Sequence, residues 1–181
     1  MPDICGHGSG LPPSSWVVRH QDKLPPACRV LDLACGGGRH VRYLAAAGHP
    51  LLAVDRNGEA LAALAGLPGV EILAADLEAE TWPLAGARFA GIVVTNYLWR
   101  PRLDDLVALL EPGGVLVYET FMAGNERYGK PSRPEFLLES QELLALAARH
   151  GLNVLAYEEG YAAEPQPAMR QALCARRPLS P

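Results

Sequence analysis

Cysteine is scarce in this chain, and aromatic residues make up only 7% of its 181 residues. The four cysteines, Cys5, Cys28, Cys35 and Cys174, stand apart and form no CxxC pair. This excludes a disulfide framework or a closed zinc site, and is the cysteine usage of a reducing compartment. Cys5 and His7 are near enough in sequence to share a metal. Two ligands in a glycine-rich start do not close a site, and no metal is expected. Basic charge is not in excess either: the formal net charge is -4. That argues against a surface made wholly for nucleic acid. Every longer apolar run is broken by Gly, Pro or charge, so no membrane span is expected. The start, MPDICGHGSG, has neither a basic n-region nor an apolar h-region and reads as no signal peptide. A cytoplasmic protein with a real core is expected, since the apolar fraction is 49%, and at this length one domain rather than two. Residues 27–181 are assigned to that domain, and 1–26 to an N-terminal segment over its site.

After Pro26 two patterns alternate. Strand-like runs are RVLDLA (29–34), PLLAVD (50–55), VEILAAD (70–76), FAGIVVTN (89–96) and GVLVYETF (114–121). Between them lie helical runs, HVRYLAAAG (40–48), GEALAALAG (58–66), RLDDLVALLEPGG (102–114) and ESQELLALAARHG (139–151), each with a glycine stop. The strands are rich in Val, Ile and Leu and apolar on both faces. That is the pattern of a parallel sheet covered by helices on each side, an α/β doubly wound fold. LNVLAYEEGY (152–161) and MRQALCARR (169–177) follow with no helix between them, which predicts a closing hairpin with an antiparallel last strand. The connection ETFMAGNERYGKPSRPEF (119–136) is unusually long and polar, and loops of this length are usually functional or disordered.

The glycine turn in VLDLACGGGRH (30–40) is the sharpest local signal. It is not a complete dinucleotide fingerprint, because Val41 stands where G-x-G-x-x-G needs its third glycine. Asp32 lies just before the turn, where a carboxylate would oppose a pyrophosphate and attract a cation. S-adenosylmethionine carries an ammonium and a sulfonium and no phosphate. Asp55 ends the second strand, where a carboxylate can accept ribose hydroxyls. It is expected to sit exposed there. Asp76 ends the third strand, where it can accept from the adenine amine while the Leu77 N–H donates to the ring. Taken singly, each aspartate reads equally well as a turn or helix cap. Together, at successive strand ends beside a glycine turn, they favour a cofactor site.

VLDLACGGGRH, LLAVDRN, LAADLE and LLEPGGVLVYETF resemble, in order and spacing, the motifs of class I S-adenosylmethionine-dependent methyltransferases. Within that superfamily, LDLACGGGRHVRYLAAAGH is similar to the tellurite-resistance-type methyltransferases. The resemblance implies a Rossmann-like, mostly parallel sheet of seven strands in the order 3-2-1-4-5-7-6, and S-adenosylmethionine as cofactor. It places Asp32, Ala34, Gly36 and Gly38 at the methionine side, Asp55 and Arg56 at the ribose and adenine edge, Asp76 and Leu77 at the adenine, and Thr95 and Asn96 facing the reacting methyl.

Methyl transfer is an in-line displacement at a carbon already activated by the sulfonium, so alignment matters most and no covalent intermediate is required. Tyr97, Trp99 and Arg100 can line the acceptor site, as can Thr120, Arg127, Tyr128, Lys130 and Arg133. Glu119 is the candidate base and Tyr97 a second catalytic candidate. The segment from Ala123 to Pro134 is a candidate lid. A small-molecule acceptor, with anionic and metalloid compounds included, is the reading that compactness and acidity favour. An RNA or protein methyltransferase with a local basic rim, and a cofactor-binding protein without turnover, are the alternatives.

Overall fold

The computed structural model describes residues 11–179, so the Cys5–His7 pair and residues 1–10 of the assigned N-terminal segment lie outside the described residues. Seven strands form one sheet in the order β3-β2-β1-β4-β5-β7-β6. They are β1 Val30–Leu33, β2 Leu51–Asp55, β3 Val70–Ala74, β4 Phe89–Thr95, β5 Leu110–Phe121, β6 Asn153–Ala162 and β7 Ala168–Arg176. The first five run parallel; β7 is antiparallel to both β5 and β6. The helices are α1 Ser15–His20, α2 Arg39–Ala46, α3 Gly58–Ala62, α4 Leu103–Ala108 and α5 Glu142–Arg149. Among the described residues no helix is long and apolar enough to cross a membrane.

Two apolar cores form, one on each side of the sheet. Leu31, Leu33, Ile92, Val94, Leu116 and Tyr118 pack under α4 and α5. Val30, Val93, Val115 and Val117 pack with Trp16 and Val17 of α1, Val41 and Leu44 of α2, and Leu61 of α3. The alternation along each strand is the period of two that a pleated strand imposes. It also sorts the strand ends. Asp55, Asp32, Thr95, Glu119 and Arg170 all follow the phase of the second core, so they lie on the face that carries α1 and α2.

Three sequence expectations change, and SSWVV (14–18), to which the sequence assigned no element, forms a helix: Ser14 caps it by accepting from the Trp16 N–H at 3.1 Å, and Trp16 is buried. Isolated one-turn helices have no propensity signal to read, and this one is stabilised by burial. The predicted helix at 102–114 stops at Ala108, and Pro112-Gly113-Gly114 belongs to β5. There β5 pairs at Phe89↔Leu110, then shifts register to Gly91↔Val115. A Cβ on Gly114 would meet the Glu111 carbonyl at 2.9 Å, so the bulge requires glycine. The edge strands are not covered on both faces: Ile72 of β3 and Val154 and Leu155 of β6 are exposed. Periodicity cannot distinguish an edge strand from a central one.

The 119–136 connection is also shorter than expected. β5 continues to Phe121, and Met122 bridges Leu138. The rest folds around buried Asn125, whose amide donates to the Pro131 carbonyl at 2.9 Å and accepts from the Met169 N–H at 3.1 Å. Tyr128 stacks on Tyr161 of β6 at 5.4 Å. The segment is thus pinned to the β6–β7 side rather than poised as a free lid.

Gly38 opens α2 with φ +72°, and a Cβ there would lie 2.4 Å from Leu64. Gly38→Ala should therefore lower stability by about 1–3 kcal/mol through backbone strain alone. Chemical denaturation checks this; an unchanged midpoint would remove the packing role.

Candidate active site

The glycine turn is built by backbone and one carboxylate. Asp55 Oδ2 accepts from the Gly36 N–H at 2.8 Å, and Oδ1 accepts from the Asn57 N–H at 2.9 Å. Asp55 is therefore buried, 9% exposed, and not a free strand-end residue as expected. It ties the turn after β1 to the turn after β2. Ala34 and Gly36 both take positive φ, 55° and 52°, and Gly38 N–H closes the turn on the Cys35 carbonyl at 2.9 Å. A non-glycine residue in that region is strained, so the surrounding contacts must hold it.

Asp32 lies one turn below. It is 1% exposed, and neither carboxylate oxygen has a hydrogen-bond partner. Burial raises its pKa to about 8; Arg39 opposes this and Asp55 reinforces it. A buried carboxylate without partners is costly unless protonated or paired with a cation. Asp76 is exposed at the end of β3 with its Oδ1 accepting from the Glu78 N–H at 2.9 Å, Leu77 is buried beside it, and Arg56 is exposed at the end of β2. These residues line the carboxyl ends of β1 to β3.

A second polar group closes the other half of the mouth. Ser14 donates its N–H to His40 Nε2 at 3.0 Å and its hydroxyl to Glu119 Oε2. Since Nε2 accepts, a neutral His40 carries its proton on Nδ1, which lies 3.5 Å from Thr95 Oγ1. Burial pushes the His40 pKa down to about 3, with Arg39 adding to the shift. Arg170, from β7, reaches Asn96 Oδ1 at 2.8 Å and stands 3.6 Å from Glu119 Oε1. Its guanidinium lies 4.3 Å from the Phe121 ring, and its Nε is buried without a partner. Ser14, His40 and Arg170 were not among the expected site residues. Their contacts cross 105, 26 and 74 residues of chain, and no local pattern announces them.

Four expected acceptor residues lie elsewhere. Arg100 pairs with both oxygens of Glu142 at 2.7 and 2.8 Å and donates to the Glu135 and Leu137 carbonyls, so it holds α5 and its approach. Thr120 is buried on the face opposite Glu119, by the same strand alternation. Arg127 and Tyr128 are exposed on the pinned segment near β6. Tyr97 has a buried hydroxyl without a partner, and burial beside Glu78 and Asp76 raises its pKa.

Residues 30–114, from β1 into β5, match the family described as methyltransferase domain. That match takes in just under half of the chain. Solved structures share the fold around it. TehB from Haemophilus influenzae is 22% identical with a TM-score of 0.75; the match covers 91% of this chain and 62% of that one. A S-adenosylmethionine dependent methyltransferase from Mesorhizobium loti is 20% identical, TM-score 0.68, over 91% and 99% of the two chains. The 1,6-didemethyltoxoflavin-N1-methyltransferase of Burkholderia thailandensis, solved with 1,6-didemethyltoxoflavin and S-adenosylhomocysteine, is 21% identical, TM-score 0.66, over 90% and 76%. No curated protein matches the chain in sequence at a significant level. The fold is that of S-adenosylmethionine-dependent methyltransferases, as the motif resemblance implied, and the similarity to TehB agrees with the tellurite-resistance-type likeness of the glycine turn. S-adenosylmethionine is the cofactor that the motif resemblance implies. The residues present fit it: an unpartnered buried carboxylate beneath the turn and acidic residues at the next two strand ends.

Asp55→Ala should remove two backbone anchors, each a charge-assisted hydrogen bond of about 1.5–3 kcal/mol. The protein should lose both thermal stability and S-adenosylhomocysteine affinity. Retention of either one, measured by melting and calorimetry, would separate the turn from the site.

Proposed function

We propose that the chain transfers a methyl group from S-adenosylmethionine to a small acceptor that bears negative charge. The observation that carries this reading is the row of strand-end residues on one face, Asp55, Asp32, Thr95, Glu119 and Arg170, continuous from the glycine turn to β7. Asp32, Ala34, Gly36 and Gly38 serve the methionine side, Asp55 and Arg56 the ribose, and Asp76 and Leu77 the adenine. S-adenosylmethionine supplies an activated methyl; the chain supplies orientation and exclusion of water. Thr95 and Asn96 end the strand between the two halves of the row and belong beside the methyl.

Charge favours an anionic acceptor. On the acceptor half, Arg170 faces the Glu119 carboxylate, Arg39 adds positive charge near Arg170, and His40 is held neutral. Arg170 also has an unused buried donor, and a buried donor without a partner is costly. An acceptor oxygen bearing negative charge answers both. Glu119 is better suited to hold Arg170 and Ser14 than to act as a base, because each of its oxygens already faces one of them. The toxoflavin enzyme from Burkholderia, with a small-molecule acceptor in its structure, is in keeping with a small acceptor.

Calorimetry with S-adenosylmethionine, S-adenosylhomocysteine and NAD tests the cofactor half. The first two should bind and NAD should bind far more weakly; equal or tighter NAD binding overturns the reading. For the acceptor half, Arg170→Met should keep S-adenosylhomocysteine affinity within a few-fold. Methyl transfer to carboxylate-bearing small molecules should fall about 10- to 100-fold, the loss of one charge-assisted contact. Equal loss with neutral acceptors would show that Arg170 does not read charge.

A further inference from the structure

Among the described residues, Asp32 is a buried carboxylate with no partner on either oxygen. It sits in β1 between Ala53 of β2 and Val93 of β4, both apolar. The charged and titratable groups around it are few. Arg39 faces it from α2, Asp55 from β2 and Cys35 from the turn. The Val41 N–H lies near enough to favour the anion but closes no hydrogen bond. Arg39 is half-exposed and donates to the Pro12 carbonyl at 3.3 Å, so it does not pair with the carboxylate. Asp55 is saturated by the Gly36 and Asn57 amides and only adds negative charge. His40 is held neutral and brings no positive charge.

Resting on the cofactor reading above, we propose that binding of the cofactor's amino-acid ammonium drives one proton out of Asp32, so that occupancy of this site is coupled to pH. The balance is simple. The protonated carboxyl of the unliganded site becomes a carboxylate paired with the R–NH3+ group, and its proton goes to solvent. Burial sets the direction. The free site holds Asp32 protonated below about pH 8, and the ammonium supplies the counter-charge that burial denies it. By linkage, affinity is then highest above the free-site pKa and falls close to tenfold per pH unit below it, until the bound-state pKa is reached. The ammonium rather than the sulfonium is assigned, because the amino-acid part is what crosses the glycine turn above Asp32. The same coupling is therefore expected with S-adenosylhomocysteine, which lacks the sulfonium.

The experiment is calorimetry of S-adenosylhomocysteine at pH 6.5 in three buffers of different ionisation enthalpy. The slope of observed heat against buffer enthalpy should give close to one proton released. The dissociation constant should rise close to tenfold from pH 7 to pH 6. 5′-Methylthioadenosine, which lacks the amino-acid group, should bind with no such slope. Asp32→Asn should bind S-adenosylhomocysteine with the slope abolished and an affinity flat in pH. Binding of S-adenosylhomocysteine with zero slope overturns the coupling while leaving the cofactor reading intact. A full slope with 5′-methylthioadenosine, or one retained in Asp32→Asn, assigns the proton elsewhere and overturns it as well. No heat with S-adenosylhomocysteine overturns both. The 5′-methylthioadenosine comparison uses the native chain and so decides the matter even if Asp32→Asn does not fold.

Discussion

The Asp55 carboxylate is the tie on which the site depends. One of its oxygens fixes the turn leaving β1, the other the turn leaving β2. Those two turns start α2 and α3, and both helices pack on the face that carries the polar row. The tie is compact and buried, so its bonds are sheltered from water and stronger than surface equivalents. A residue chosen for a ligand is thus first a structural one. The ligand role is not lost by this, because a carboxylate has lone pairs for about four donors and two are used.

Strain and packing follow from that tie. Ala34 and Gly36 at positive φ need a neighbour that holds the turn open, and the Gly36 amide on Asp55 is that neighbour. Gly38 must lie against Leu64 for α2 to sit close to the segment after α3. The turn's three glycines therefore do different work. Only part of it concerns a ligand.

The fold and the strand-end places of the three aspartates were legible in the sequence because both are written locally. Strand runs, glycine stops and an aspartate at each of three strand ends occupy short consecutive stretches. Sheet order came with the motif resemblance, and the closing hairpin from two strand runs without a helix between them. The acceptor half was not legible. Ser14, Glu119, Asn96 and Arg170 meet only because β7 slots between β5 and β6 and α1 folds back over the second core. Arg100 misled for the opposite reason: its neighbours in sequence are at the mouth, but its guanidinium reaches α5. Element type is set by nearby residues; side-chain partners are set by topology.

The insertion of β7 has a consequence in time. During synthesis the glycine turn and its three aspartates emerge together, within fewer than fifty residues, and the strands that carry them are sequential neighbours in the sheet. Arg170 comes far later and takes its place only when the final hairpin enters beside β5. Contacts of such long sequence separation form slowly, since chain entropy must be lost before they reward it. The nascent protein thus completes the proposed donor half of the site first, while the proposed acceptor half waits for Arg170.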